Sequence, residues 1–394
     1  LNMGIGSDDG TQVQHCQRTS HAGIIESKRE TTGIDYAPAL DGMRAVAVLL
    51  VMFGHFDIPV VGRPGGTGVD IFFTLSGYLI TRVLLRQFES GRSFMSFYWS
   101  RLMRLLPALL VVNVSLFMFV GSGLDMQDVA LNAIAALAYI ADWLRAFPLS
   151  FSPGIMAHTW SLAIEEQFYL LWPAVLLVLW RIGIDKGRIL AIALAAASWV
   201  ATITVAQMGA SHVHLYNALY MRLPGLLIGA SLAMLSPCKV TSRHAAAAAA
   251  IFLICAFYGW RWWSMIVTWL CTAIIIAHVV SNAERGVVRR VLEWHPMVSV
   301  GVVSYSLYLW HFPILVLLSK TYQSGFIRCV IGIPVSIAMA YITRVAIEMP
   351  ALRARQLVTE DAQKWLGMFA WSGTIASMAG GLVFFFSGYY RALP

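Results

Sequence analysis

Charge is scarce in this 394-residue chain. Asp, Glu, Lys and Arg make up 12% of it, where a soluble globular protein carries about a quarter. That shortage excludes an ordinary cytosolic enzyme and a disordered chain. Cysteine is scarce too. Cys16, Cys238, Cys255, Cys271 and Cys329 form no CxxC pair. They suggest neither a disulfide framework nor a metal site, and read as small apolar or incidental residues. Residues 1–38 have no apolar core flanked by a small-residue cleavage site, so they do not read as a signal peptide. Polar and rich in Gly, Ser and Thr, they read as a mobile cytoplasmic N-terminal tail. No internal repeat and no separate soluble domain stands out.

Apolar residues are abundant, at 58% of the chain, and the mean hydropathy is +0.69. This composition predicts an all-α polytopic transmembrane bundle, with about 20 residues per span. Apolar runs fall at about 40–57, 69–85, 105–121, 160–180, 189–208, 216–235, 245–260, 264–280, 297–319 and 326–347. These make ten core spans, and an eleventh covers about 366–387. Residues 39–352 are read as the transmembrane domain, and 353–394 as an inner linker plus the extra helix. Residues 128–144, Ala-rich but carrying Asp128 and Asp142, read as a loop helix partly buried in the bundle.

The formal net charge is +8. The basic residues cluster between apolar runs, which points to membrane lipids and topology rather than to nucleic acid. With the N-terminus placed inside, inner segments hold most of the Lys and Arg. Outer segments hold only Arg63, Arg145, Arg261, Lys320, Arg328 and Arg391. This asymmetry predicts a cytoplasmic N-terminus.

Ionisable residues at membrane depth are costly and therefore informative. Arg44 and His55 lie eleven residues apart on the first predicted helix. At about 100° and 1.5 Å per residue they share a face, about 16.5 Å apart. A histidine with an arginine three turns below it suggests a lined path running inward. The fourth span opens His158-Thr159-Trp160-Ser161 and carries Glu165 and Glu166. Adjacent residues point about 100° apart, so one glutamate at most faces a given site. Glu165 is expected to orient the His55 ring and raise its basicity, with Arg222 pairing the other glutamate. Arg101 and Arg104, an i, i+3 pair, share a face before Pro107; they read as a phosphate clamp or as lipid-headgroup contacts. Asp70 reads as an acceptor-hydroxyl ligand or as a helix N-terminal charge. Ser76 and Gly77, a small mid-span pair, allow close helix approach or line a tight channel. The ninth span holds Tyr308, His311 and Pro313, and reads as a site or as an aromatic packing helix kinked at the proline.

The motifs resemble the acyltransferase 3 family of integral membrane acyltransferases. The resemblance covers roughly residues 36–352 and rests on blocks in the family's order. These are Leu40-Asp41-Gly42-Met43-Arg44-Ala45 through His55, then Gly68-Val69-Asp70-Ile71-Phe72-Phe73-Thr74-Leu75-Ser76-Gly77-Tyr78-Leu79-Ile80, then Arg101 to Pro107. Trp160-Ser161-Leu162 with Glu165, Gln167, Phe168 and Tyr169 comes next, then Tyr305 to Pro313, then Glu348-Met349-Pro350.

The resemblance implies ten core helices, an acyl-CoA donor (acetyl-CoA by default) and a histidine in the first helix as catalytic residue. Carried over, these are His55 with Arg44 as its basic partner, Glu165 as the fourth-helix carboxylate, and Arg101 and Arg104 as donor-binding positions. Ser76 joins the donor side, and Asp70, His311, Tyr308 and Arg222 the acceptor side. No metal is expected. The extra helix departs from the family pattern, as does the lack of the hydrolase-like domain that some members carry. Acceptor recognition is therefore expected from the membrane core or from an acceptor-presenting partner, and a homo-oligomer is left open. The expected acceptor is a hydroxyl of an exported or cell-surface glycan, such as lipopolysaccharide or another polysaccharide, or of a glycosylated small molecule. Direct attack and a covalent acyl-enzyme are both compatible with these residues. The competing class is a secondary transporter without acyl transfer, weakened by the missing inverted repeat.

Overall fold

Eighteen-residue and longer apolar stretches dominate the chain, and the computed structural model turns nearly all of them into helix. It describes residues 37–56, 65–121, 123–147, 154–235, 239–258, 262–281 and 285–391. The expected tail lies outside the described residues except for its last two positions. So do Cys16, Cys238, Arg63 and Arg261. The helices are α1 (Pro38–His55), α2 (Gly65–Glu89), α3 (Met95–Leu116), α4 (Met126–Leu137), α5 (Ala141–Ala146), α6 (Trp160–Arg181) and α7 (Ile184–Gln207). After them come α8 (His212–Asn217), α9 (Leu219–Met234), α10 (Ser242–Tyr258), α11 (Trp262–Val280), α12 (Val287–Leu292) and α13 (His295–Val302). The last are α14 (Ser304–Thr321), α15 (Gly325–Thr343), α16 (Met349–Gln356) and α17 (Glu360–Arg391).

This is an all-α polytopic membrane bundle. Each predicted run contains a helix, but the span count differs. Eight of the described helices are long and apolar enough to cross a bilayer, or nine if the bent pair α13–α14 is one span. α9 has 16 residues and α10 has 17. At 1.5 Å per residue both fall short of a hydrocarbon core about 30 Å thick. α9 is short because it is enclosed. It packs against α2, α7 and α11, and most of its residues are buried, Arg222 among them. At its crossing with α2 the backbones nearly touch. A Cβ on Gly77 would strike the Leu226 carbonyl, and one on Gly229 the Thr74 carbonyl. The predicted Ser76–Gly77 pair thus divides its work, the glycine admitting α9 and the serine serving a polar network described below.

The ninth predicted span departs from expectation. The chain bends by 71° between α13 and α14, at Val303 and not at Pro313, which lies inside α14. The predicted loop helix 128–144 is two helices, α4 and α5, parted by Tyr139 at φ +53°. Asp125 caps α4, accepting from the Gln127 and Asp128 amides at 2.8 and 3.2 Å. α5 is anchored by its buried Asp142, which accepts from the Gln167 amide at 2.9 Å. On the outside, α7 and α17 expose Ile189, Val200, Phe369 and Val383, as helices facing lipid do.

Candidate functional site

α1 carries Asp41 in its first turn and His55 in its last, each at the end the helix dipole favours for its charge. The His55 end meets two other elements. The Nδ1 of His55 lies 2.9 Å from the Nε2 of His311 on α14. The ring centroids are 5.2 Å apart and the planes 19° apart. That separation is about the N···N distance plus two ring radii, so the imidazoles meet edge to edge in nearly one plane, not face to face. His311 is fully buried, and its Nδ1 lies 2.7 Å from the Tyr308 carbonyl and 3.2 Å from that of Leu307. His55 is half-buried.

A third imidazole, His158, sits just before α6 with its centroid 5.4 Å from that of His311. Both its ring nitrogens are buried without a hydrogen bond. It faces the Leu309 carbonyl, which Pro313, lacking an N–H, leaves without its usual helical donor. The Tyr308 hydroxyl donates to the His158 carbonyl at 2.6 Å. Its one proton is thereby used, so Ser161 is the donor in the 2.7 Å contact between the two hydroxyls. Phe312 closes the group, with its ring centroid 4.9 Å from that of His55. The charged side chain whose field reaches His55 is Arg145 of α5, held by Asn217 at 2.9 Å.

Glu165 was expected beside His55. It is instead engaged by the Ser76 hydroxyl at 3.1 Å and the Tyr169 hydroxyl at 3.0 Å. The group in hydrogen-bond reach of His55 is an imidazole, not a carboxylate. Glu166 was expected to pair with Arg222, and pairs with Arg101 at 3.0 Å. Arg222 pairs with Asp70 at 2.8 Å, both fully buried. Trp269 donates to the same carboxylate oxygen at 3.1 Å, and Arg222 also donates to the Tyr216 carbonyl. Asp70 and Arg222 are therefore placed as a closed ion pair tying α2 to α9, not as groups presented to an acceptor.

At the other end of α1, Arg44 bonds Asp41 at 2.7 Å. Arg104 of α3 lies in the field of Arg44, Arg101, Arg344 and Glu348. Arg344 and Glu348 sit on a π-turn that ends α15 and pair at 2.6 Å, and Glu348 also accepts from Ser306. Three of the four arginines are matched one to one by Asp41, Glu166 and Glu348. Arg104 has no hydrogen bond or ion pair among the described residues. Arg101 is not an open clamp, because its guanidinium lies 3.9 Å over the Tyr169 ring and its Nη2 donates to Glu166. The cavity beside it, lined by Tyr98, Arg101, Tyr139, Glu166 and Tyr169, has about 30 Å³, room for a water or two.

Sequence reasoning missed His158, Arg145, Arg344 and Glu348 as neighbours of these groups. His158 was read only as the opening residue of the fourth span, Arg145 as an outer-loop charge, and Arg344 lay near the end of the run 326–347. No three His, Cys, Asp or Glu side chains among the described residues are grouped as for a metal ion.

A family model described as an acyltransferase domain matches residues 38–345. That stretch holds α1 to α15 and the arginines and histidines above. The chain belongs to the acyltransferase 3 family. It is 32% identical over 349 residues to a provisionally named peptidoglycan O-acetyltransferase of Bacillus subtilis, covering 80% of this chain and 55% of the relative. Against the peptidoglycan O-acetyltransferase of Listeria monocytogenes the identity is 31% over 353 residues, covering 80% and 56%. A provisionally named O-acetyltransferase of Staphylococcus aureus is 32% identical over 330 residues, covering 74% and 52%. The chain thus spans about half the length of these acyltransferase 3 relatives. No solved structure matches it.

Proposed function

We propose that the protein is a membrane O-acyltransferase that moves an acyl group, acetyl by preference, from cytoplasmic acyl-CoA to a hydroxyl of a cell-envelope glycan. The observation that carries this reading is the pairing of His55 with His311 at one end of α1, with an arginine group at the other end. The Listeria relative is named for peptidoglycan, so a peptidoglycan sugar is the first acceptor to test, ahead of lipopolysaccharide, other polysaccharides or a glycosylated metabolite.

Arg104, without an ion-pair partner among the described residues, and the neighbouring Arg44 and Arg344 suit the phosphates of the donor nucleotide. The acyl-bearing arm would run along α1 toward His55. His55 takes the acceptor hydroxyl proton as the oxygen attacks the thioester carbon. The carbon–sulfur bond then breaks, and the thiolate takes the proton from the imidazolium. Arg145 is the cation available to the developing oxyanion. A covalent acyl-histidine or acyl-tyrosine remains compatible, and trapping a labelled acyl group on the protein would favour it.

The test compares envelope glycans of the host with and without the gene by mass spectrometry. Loss of acetyl substituents supports the reading. Unchanged acetylation, with purified protein moving a solute and never releasing coenzyme A, would support the transporter class instead.

A further inference from the structure

We infer that His311 is a positioning residue that sets which nitrogen of His55 carries the proton, and so which nitrogen is the base. The inference rests on the reading of His55 as the base and goes one step beyond it.

The argument starts from two backbone carbonyls. The His311 Nδ1 lies 2.7 Å from the Tyr308 oxygen and 3.2 Å from the Leu307 oxygen. A carbonyl oxygen only accepts, so Nδ1 carries a hydrogen. The neutral ring then has a bare Nε2, which faces the His55 Nδ1 at 2.9 Å. Two lone pairs cannot share that contact, so the His55 Nδ1 donates. A neutral His55 with its hydrogen on Nδ1 has its lone pair on Nε2. One tautomer is thus passed from a helix backbone through two rings to the reactive atom. The near-coplanar, edge-to-edge arrangement points the N–H along the His311 lone pair.

The geometry also holds the second ring still. His311 is fully buried, with His158 and Tyr308 against it at 5.4 Å and Phe312 at 6.3 Å between centroids. In a serine-protease triad an aspartate does this work for the base. Here an imidazole locked by a helix backbone does it without placing a carboxylate there. During transfer, the acceptor O–H breaks and its proton moves to the His55 Nε2 while the oxygen–carbon bond forms. When the carbon–sulfur bond breaks, the thiolate takes that proton. His311 keeps its own proton throughout, and its Nε2 accepts a stronger hydrogen bond while His55 is charged.

The test uses the full chain in nanodiscs, radiolabelled acetyl-CoA and isolated cell-wall glycan as probes. His311→Leu is expected to lower kcat by about 100-fold or more, within the range of general-base effects, with the KM for acetyl-CoA unchanged. His311→Gln is expected to recover most of the loss, because its amide oxygen can stand where Nε2 stood and accept the same N–H. Nitrogen-15 NMR of histidine-labelled protein is expected to show the His55 proton on Nδ1 in wild type and His311→Gln, and a mixture of tautomers in His311→Leu. A folded His311→Leu protein with wild-type kcat beside an inactive His55→Ala protein would overturn the inference and leave the base reading standing. A His311→Gln protein no better than His311→Leu would overturn it too. Wild-type transfer by His55→Ala would remove the base reading itself.

Discussion

Glu165, Glu166 and Gln167 are neighbours in the chain and serve three different helices. Each step around α6 turns about 100°. Glu165 therefore reaches Ser76 of α2, Glu166 reaches Arg101 of α3, and Gln167 reaches Asp142 of α5. The same reasoning applies to the deepest charges. Asp70 and Arg222 are 152 residues apart in sequence yet share a closed pocket. Removing one partner of such a pair strands the other and costs about 3–5 kcal/mol. Arg222→Met is expected to lower the thermal midpoint in detergent markedly, and adding Asp70→Asn to restore much of it. An unchanged midpoint for the single variant would count against the pair as a structural tie. The sequence marked each of these residues as unusual for its depth. It did not reveal the pairings, because partners on distant helices are chosen by helix rotation and crossing, which no local spacing encodes.

Among the elements, periodicity and apolar length made the long helices legible, the first run read at 40–57 being the helix Pro38–His55. The break at Val303 was not legible. Pro313 was the obvious candidate for a kink, but it stays within α14, and its missing N–H frees a carbonyl toward His158 instead. The short α9 was read as a full span because its neighbours α8 and Leu235 extend the apolar run. α5 offers a separate test. Asp142 is buried, and burial pushes its carboxyl up to about 8, against the Gln167 hydrogen bond that pulls it down. The folded protein therefore holds a proton that the unfolded chain, with an ordinary value of 3.8, has released. Stability falls wherever the folded state binds more protons than the unfolded one. The thermal midpoint is expected to drop as pH rises from about 4 to about 8 through this group, and to level off above. Asp142→Asn keeps an acceptor for Gln167 and is expected to remove that part of the slope. A slope identical to wild type would show that Asp142 ionises normally in the fold.

Across the whole molecule, α1 joins two unlike ends, a nest of imidazoles and an arginine group in which Arg104 has no ion-pair partner among the described residues. α17 lies beyond the residues matched by the family model and packs along α3, with Gly367 against the Met95 carbonyl. Its Ala370 and Thr374 line the small cavity beside Arg101. The family was readable from ordered motif blocks. The identity of the ring beside His55 was not, because it depends on where α14 lands after its bend. The most direct test of the account is the initial rate of acetyl transfer from acetyl-CoA to cell-wall glycan by His55→Ala in nanodiscs, beside wild type of equal thermal midpoint. The account predicts a loss of about 10²–10⁴-fold, the usual contribution of a general base. A rate within about twofold of wild type, well below that range, would contradict it.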